Sequence, residues 1–260
     1  MSNLRVILIS AAGLTVTVAV VAAIVVLAVA GGVGLPDDAD GPDAAGRSIP
    51  LARFATAAPV TAAPASAGPA LSALADPAWV AATAKKTGIP PRALAAYAGV
   101  AISFETRTCG IGWNTLAGIG EIESRHGTIF GGSVAADGSA TPPIFGIPLR
   151  GGAVANIPDS DEGAIDGDAT IDRAVGPMQF IPEAWRNWHA DGNADGVEDP
   201  QNIDDATLAA AGYLCRAGGK ALDTESGWRQ AVLAYNGSNR YLADVIRYST
   251  GYANDVDPVK

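Results

Sequence analysis

The chain has 260 residues, of which 48% are apolar, and 17 Lys and Arg against 27 Asp and Glu leave a net charge of −10. This acidic balance, with no cluster of basic residues, argues against nucleic acid as a partner, because phosphate binding depends on clustered Lys and Arg. Two cysteines and two histidines exclude a disulfide-rich mini-domain and argue against a zinc site.

The first predicted element is an apolar run over residues 6–35 that contains no charged residue. It exceeds the roughly 20 residues that a helix needs to cross a bilayer core. Arg5 precedes it and acidic residues follow it, so the positive-inside tendency predicts a short cytoplasmic tail at residues 1–5 and an extracytoplasmic remainder. A retained transmembrane helix makes the chain a single-pass plasma-membrane protein. A signal peptide cleaved after Ala28–Ala30 stays open as the alternative and makes it secreted.

Residues 36–75 are predicted to form a disordered linker, because six prolines are spread among Ala, Thr, Ser, Gly and Asp. Residues 76–255 are predicted to form one mainly α-helical domain. Asp76 and Pro77 have the pattern of an N-cap followed by a first helical residue, and Gly88 is placed to end that helix.

A second helix is predicted to begin at residues 89–91 and to place Leu94, Tyr97, Ala98 and Ala101 on one face. Further helices are predicted at Trp113–His126 with Gly127 as its C-terminal cap, Pro182–Trp188, Asp204–Arg216, Ser226–Tyr235 and Asn239–Tyr248. Between Phe130 and Val175 the chain is rich in Gly, Asp and Pro. Loops of that length are usually functional, so we expect it to line a binding cleft and to contain short hairpin pieces.

Cys109 and Cys215 both fall in the predicted folded domain. If that domain is exported, we expect the two thiols to be oxidised to each other, since disulfides persist in oxidising compartments. Two separate buried thiols are the alternative.

Glu123 is the main candidate for chemistry. It follows Leu116 by seven residues and Ile119 by four, so it lies on the apolar side of the third predicted helix. Burial and the negative end of the helix dipole both raise the pKa of a carboxyl there, and a protonated carboxylic acid is what general-acid catalysis requires. A salt bridge to Arg125 or Arg173 is the simpler explanation.

Two later segments carry side chains that suit a sugar cleft. Residues 176–182 read Gly-Pro-Met-Gln-Phe-Ile-Pro and can present Met178 and Gln179, while residues 234–237 read Ala-Tyr-Asn-Gly at a helix end. Together with the Glu-Ser-Arg-His-Gly of residues 123–127, they resemble, in this order, the motifs of the lytic murein transglycosylases, specifically the membrane-bound B type and its actinobacterial relatives. The resemblance covers roughly residues 105–250.

The resemblance implies a lysozyme-like helical domain that cleaves the glycan strands of peptidoglycan between N-acetylmuramic acid and N-acetylglucosamine. It implies that Glu123 acts first as acid and then as base, so that a 1,6-anhydro ring forms without water and no cofactor is required. The residues that it implies for substrate binding are Ser124, Met178, Gln179, Phe180, Tyr235 and Asn236.

Two other functions stay open. A hydrolytic muramidase needs a second carboxylate about 5–9.5 Å from the first, and Asp166, Asp168 and Asp172 are candidates. A non-catalytic peptidoglycan-binding module on the same fold is the other. The sequence does not reveal which proteins, if any, recruit the chain.

Residues 191–197 match the first seven positions of an EF-hand loop, which predicts a structural calcium site. The predicted ligands are Asp191, Asn193, Asp195, the carbonyl of Val197, and Asp205 in place of the missing glutamate. The alternative is an Asp/Gly turn whose carboxylates cap the helix beginning near Asp204.

Overall fold

A computed structural model describes residues 70–105, 109–152 and 154–256, and this part of the chain is mainly helical, as predicted. Its α-helices are α1 Pro77–Thr87, α2 Pro91–Glu105, α3 Trp113–Ser124, α4 Pro182–Trp188, α5 Ile203–Ala217, α6 Glu225–Tyr235 and α7 Asn239–Val256. Two short strands, β1 Ser133–Val134 and β2 Ala140–Thr141, pair antiparallel with Val134 opposite Ala140.

The predicted tail, the apolar run at residues 6–35 and the linker up to residue 69 lie outside the described residues. Across the ranges that the structure covers, every helix is too short or too polar to span a bilayer.

The first helix has the ends that its sequence predicts. The Asp76 carboxylate accepts a hydrogen bond of 2.8 Å from the backbone N–H of Trp79, and Pro77 occupies the first helical position. At the other end Gly88 adopts the left-handed conformation with φ of 75°, and its N–H donates to the carbonyl of Ala84. Each end of α1 is therefore capped by its own neighbouring residues.

Helix α2 packs on α1, α3 and α5. Its predicted apolar face is buried. Gly99 lies against the short 3₁₀ turn Leu71–Leu74, where a Cβ would overlap the Leu71 carbonyl. Leu71 also donates its N–H to the Gly192 carbonyl at 2.9 Å, so the last residues of the predicted linker pack onto the folded domain.

Two helix ends differ from the prediction by more than one residue. Helix α3 ends at Ser124 rather than His126, because Arg125, His126 and Gly127 are all left-handed, with φ of 52°, 59° and 82°. Helix α7 continues past Tyr248 to Val256, because Tyr252 and Ala253 are buried in the last turns and their packing outweighs the poor helix propensity before them.

The long segment between Phe130 and Val175 contains the expected hairpin, β1–β2, and is otherwise held by isolated bridges. Phe145 pairs with Val175, Pro158 with Ile171, and Val175 in turn with Phe180. These bridges satisfy backbone groups that a structureless loop could not bury. The segment is thereby bonded to the turn at residues 176–182.

The predicted disulfide between Cys109 and Cys215 is confirmed. It joins Cys109, four residues before the start of α3, to the last turn of α5, across a sequence separation of 106 residues. In the chain-entropy model, closing a loop of that length stabilises the fold by about 5 kcal/mol.

Candidate functional site

Glu123 lies in the last turn of α3 and is only 4% exposed. Its Oε1 accepts a hydrogen bond of 2.6 Å from the Tyr241 hydroxyl, and its Oε2 is buried without a hydrogen-bond partner. Burial raises the pKa of the Glu123 carboxyl to about 8, and the Tyr241 hydrogen bond opposes this only in part. The carboxyl is therefore neutral at pH 7, and the salt bridge that the simpler explanation requires is not formed.

Ser124 connects the end of α3 to the turn at residues 176–182. Its hydroxyl donates to the Pro177 carbonyl at 2.7 Å and accepts from the Gly127 N–H at 2.7 Å. The side chain is fully buried, so its hydroxyl is used for contacts within the protein. The first two sequence motifs are thus bonded to each other.

The turn at residues 176–182 depends on Gly176, which has φ of 76° and lies so close to Pro200 that a Cβ would overlap its carbonyl. Gln179 is also left-handed, with φ of 50°, and its Nε2 donates to the Gly176 carbonyl at 2.9 Å. This internal bond leaves the Gln179 Oε1 as the acceptor that the turn can offer to a ligand. Met178 is fully buried and belongs to the core rather than to a surface.

Tyr235 connects this turn to α6. Its hydroxyl donates to the Met178 carbonyl at 2.7 Å, and its ring packs edge-on against Phe180. Its ring is also stacked on that of Tyr241, with centroids 6.5 Å apart and planes 7° from parallel. Asn236 is buried at the end of α6, and its side-chain carbonyl accepts from the Ser238 N–H.

The structure therefore brings the three motifs to one place around Glu123. Burial raises the pKa of Tyr235 and of Tyr241 well above the ordinary tyrosine value, and the nearby Glu123 adds to both effects. Both phenols remain protonated donors at neutral pH, so neither places a charge beside the Glu123 carboxyl.

Sequence reasoning missed Tyr241, the hydrogen-bond partner of Glu123. Tyr241 is the third residue of α7 and belongs to an apolar stripe with Leu242 and Val245. A polar hydroxyl inside such a stripe signals a buried acceptor, but helical spacing cannot identify an acceptor 118 residues away.

Removing the Tyr241 hydroxyl is expected to raise the pKa of Glu123 further, because that hydrogen bond favours the ionised carboxylate. In Tyr241→Phe the Glu123 titration midpoint should move up by roughly half to one pH unit. The measurement is a carbon NMR titration of protein labelled at the glutamate carboxyl. Tyr248→Phe, on the same helix, is the matched control, and a midpoint that stays in place in Tyr241→Phe would contradict the assigned bond.

The three aspartates considered as a second carboxylate are all bonded within their own loop. Asp166 accepts from the backbone N–H groups of Asp168 and Arg173, and Asp172 accepts from both the N–H and the hydroxyl of Ser160. Asp168 accepts from Thr170 and pairs with Arg173 at 3.3 Å. Each carboxylate has a local structural role.

The oxygens of the predicted calcium loop are likewise engaged by the loop itself. Asp191 accepts from the N–H groups of Asp195 and Gly196, and the side-chain oxygens of Asn193 and Asp195 accept further N–H groups of the loop. The Asp205 carboxylate accepts from the N–H groups of Gly192, Asn193 and Asp199. Val197 is exposed.

Two further observations bear on metal binding. Asp204 pairs with Arg92, so its carboxylate is engaged outside the loop. Among the described residues, the group of acidic side chains that brings oxygens within 4.8 Å of one another is Asp159, Asp161 and Asp172, in the long segment before the turn. Calcium at residues 191–205 stays a prediction.

Comparison with protein-family models, with curated proteins and with solved structures finds no match. The likeness to lytic transglycosylases therefore depends on the three sequence motifs.

Proposed function

We propose that this chain is a peptidoglycan lytic transglycosylase in which Glu123 is the single acid and base. The observation that carries the proposal is the buried, neutral Glu123 carboxyl with one unpartnered oxygen, at the point where the three motifs meet. With Oε1 accepting from Tyr241, the proton of the neutral carboxyl would lie on Oε2, where no described group of the protein competes for it. An unmade buried hydrogen bond costs about 1–3 kcal/mol, and a substrate acceptor would recover that energy.

The reaction that follows moves one proton away from Glu123 and one back. Glu123 protonates the glycosidic oxygen as the bond from C1 of N-acetylmuramic acid to that oxygen breaks. The resulting carboxylate then takes the proton of the C6 hydroxyl while that oxygen bonds to C1, which closes the 1,6-anhydro ring. Glu123 regains its proton, and the reaction consumes no water and uses no metal or second carboxylate.

Substrate contacts are proposed for residues of the turn at 176–182 and of the end of α6. The Gln179 Oε1 would accept an N–H or O–H of a sugar, while Phe180, Tyr235 and Asn236 support the cleft around it. Ser124 and Met178 would act through the position of the turn, since their side chains are buried. The disulfide supports an oxidising, extracytoplasmic location, on which the proposed membrane anchoring or secretion depends.

The products of the reaction test this proposal. The full chain, incubated with purified peptidoglycan, should release muropeptides lighter by one water than the hydrolysis products, as measured by mass spectrometry. Products with reducing ends would instead support a muramidase. The local bonding of Asp166, Asp168 and Asp172 does not favour that outcome.

Calcium is proposed only as a structural ion, held by Asp191, Asn193, Asp195, Asp205 and the Val197 carbonyl. Oxygen donors suit this ion, but the three N–H groups that reach Asp205 already close the loop. We therefore expect the thermal unfolding midpoint of the full chain to be only about a few degrees higher at saturating Ca²⁺ than in the presence of chelator. Equal midpoints would assign these carboxylates to the turn and the helix cap alone.

A further inference from the structure

The imidazole of His126 lies in a buried polar cluster next to the site, formed with Tyr97, Glu121 and Tyr252. Its Nδ1 is 3.2 Å from the Tyr97 hydroxyl, and its Nε2 is 3.0 Å from both the Tyr252 hydroxyl and a Glu121 oxygen. The His126 side chain is 5% exposed, so the ring is closed off from solvent. The cluster joins α2, α3 and α7.

One assignment of protons satisfies this cluster. Hydrogen bonding from His126 lowers the pKa of Glu121, so its carboxylate is ionised and accepts the Nε2–H. The His126 Nδ1 is then an acceptor for the Tyr97 hydroxyl, which burial keeps protonated by raising its pKa. The Tyr252 hydroxyl is within 3.5 Å of the same Glu121 oxygen. Every donor in this assignment then has an acceptor.

The backbone that His126 belongs to is strained. Arg125 and His126 are both left-handed, a conformation that non-glycine residues rarely adopt because their Cβ crowds the backbone there. Such a turn persists only where its surroundings hold it. Here the His126 N–H donates to the Gly120 carbonyl, and its ring is fixed from three helices.

We infer that His126 is a positioning residue: through Tyr97, Glu121 and Tyr252 it holds the left-handed turn after α3 and so keeps the Glu123 carboxyl in its buried place beside Tyr241. Glu123 is two residues before the turn begins. Tyr252 and Tyr241 lie on the same helix, α7, so the cluster also fixes the helix that supplies the hydroxyl to Glu123. The effect of this role on catalysis rests on the proposed function, but its effect on Glu123 does not.

The position of Glu123 can be measured without any activity. The test follows the Glu123 carboxyl by carbon NMR in the labelled full chain, with Glu123→Gln identifying the signal. In His126→Ala the turn should relax and admit water, and the Glu123 titration midpoint should fall from about 8 by at least about one pH unit. A merely structural histidine would lower the unfolding midpoint and leave the Glu123 titration where it was.

Three further variants sharpen the test. His126→Gln keeps a donor for Glu121, so its Glu123 titration midpoint should return most of the way to that of the unmodified chain. Tyr252→Phe removes one hydroxyl and should lower the Glu123 midpoint, but by less than His126→Ala does. The matched control is His189→Gln, because His189 is the other histidine, half exposed and paired with Glu198. An unmoved Glu123 midpoint in folded His126→Ala would overturn the inference. If that variant does not fold, an unmoved midpoint in Tyr252→Phe would do so.

Kinetics on the same samples separate this inference from the proposed function. Displacing the acid should lower kcat by roughly ten- to a hundredfold in His126→Ala and leave KM within about twofold. Absence of glycan cleavage by the unmodified chain would defeat the proposed function, while the NMR titration would still decide the role of His126. Cleavage with an unmoved titration would defeat the role of His126 alone.

Discussion

Replacing Glu123 by glutamine is expected to lower the release of muropeptides from peptidoglycan by roughly 10²–10⁴-fold, the usual contribution of a positioned acid or base. Glutamine has nearly the same shape and can still accept the Tyr241 hydrogen bond, but its amide is far too weak an acid to protonate a glycosidic oxygen. The fold should be unchanged, because the buried group is already neutral at pH 7. The measurement is the initial rate of soluble muropeptide release.

Glu105→Gln is the matched control for this prediction. Glu105 is the exposed last residue of α2, and its replacement should leave the rate unchanged. Equal rates for Glu123→Gln and the unmodified chain would show that the chain cleaves by another group. If neither protein releases muropeptides but both bind peptidoglycan, the non-catalytic binding module becomes the better explanation.

The pH dependence of the unmodified chain follows from the same carboxyl. Its acid form is required to begin the reaction, and the pKa of Glu123 is about 8. Cleavage should therefore continue through neutral pH and decline as the pH rises past that value.

Helix periodicity and caps predicted most of the helical fold. The Asp76–Pro77 start and the Gly88 end of α1 are local signals, because each is set by hydrogen bonds within one turn. The end of α3 was mispredicted for a physical reason. Gly127 has the residue type of a cap, but the chain leaves the helix two residues earlier, where contacts from Tyr97 and Tyr252 stabilise left-handed residues. Those contacts join distant helices and have no local signature.

In the site, too, the sequence predicted local features but not contacts between distant elements. Helical spacing placed Glu123 on the apolar face, and the structure buries it there with the raised pKa that the spacing predicts. The hydroxyl of Ser124 and the backbone of Met178 bond to other parts of the protein, which spacing could not reveal. Tyr241 was missed because its partner lies on another helix. Position on an element is thus readable from sequence, whereas the choice of partner across elements is set by packing.

Glu123→Gln is also expected to stabilise the protein, by an amount that grows with pH. The folded chain holds the Glu123 proton up to about pH 8, whereas an unfolded chain releases it near the ordinary value of 4.5. Protonation thus favours the folded state fully below pH 4.5, and this stability is lost as the pH rises towards 8. Glutamine cannot ionise, so its variant should nearly match the unmodified chain near pH 4.5 and exceed it by roughly 4 kcal/mol near pH 8. Urea unfolding at several pH values measures the difference, with Glu105→Gln as the control. A difference that does not change with pH would mean that the folded Glu123 is ionised at neutral pH, and a group already ionised cannot serve as the acid.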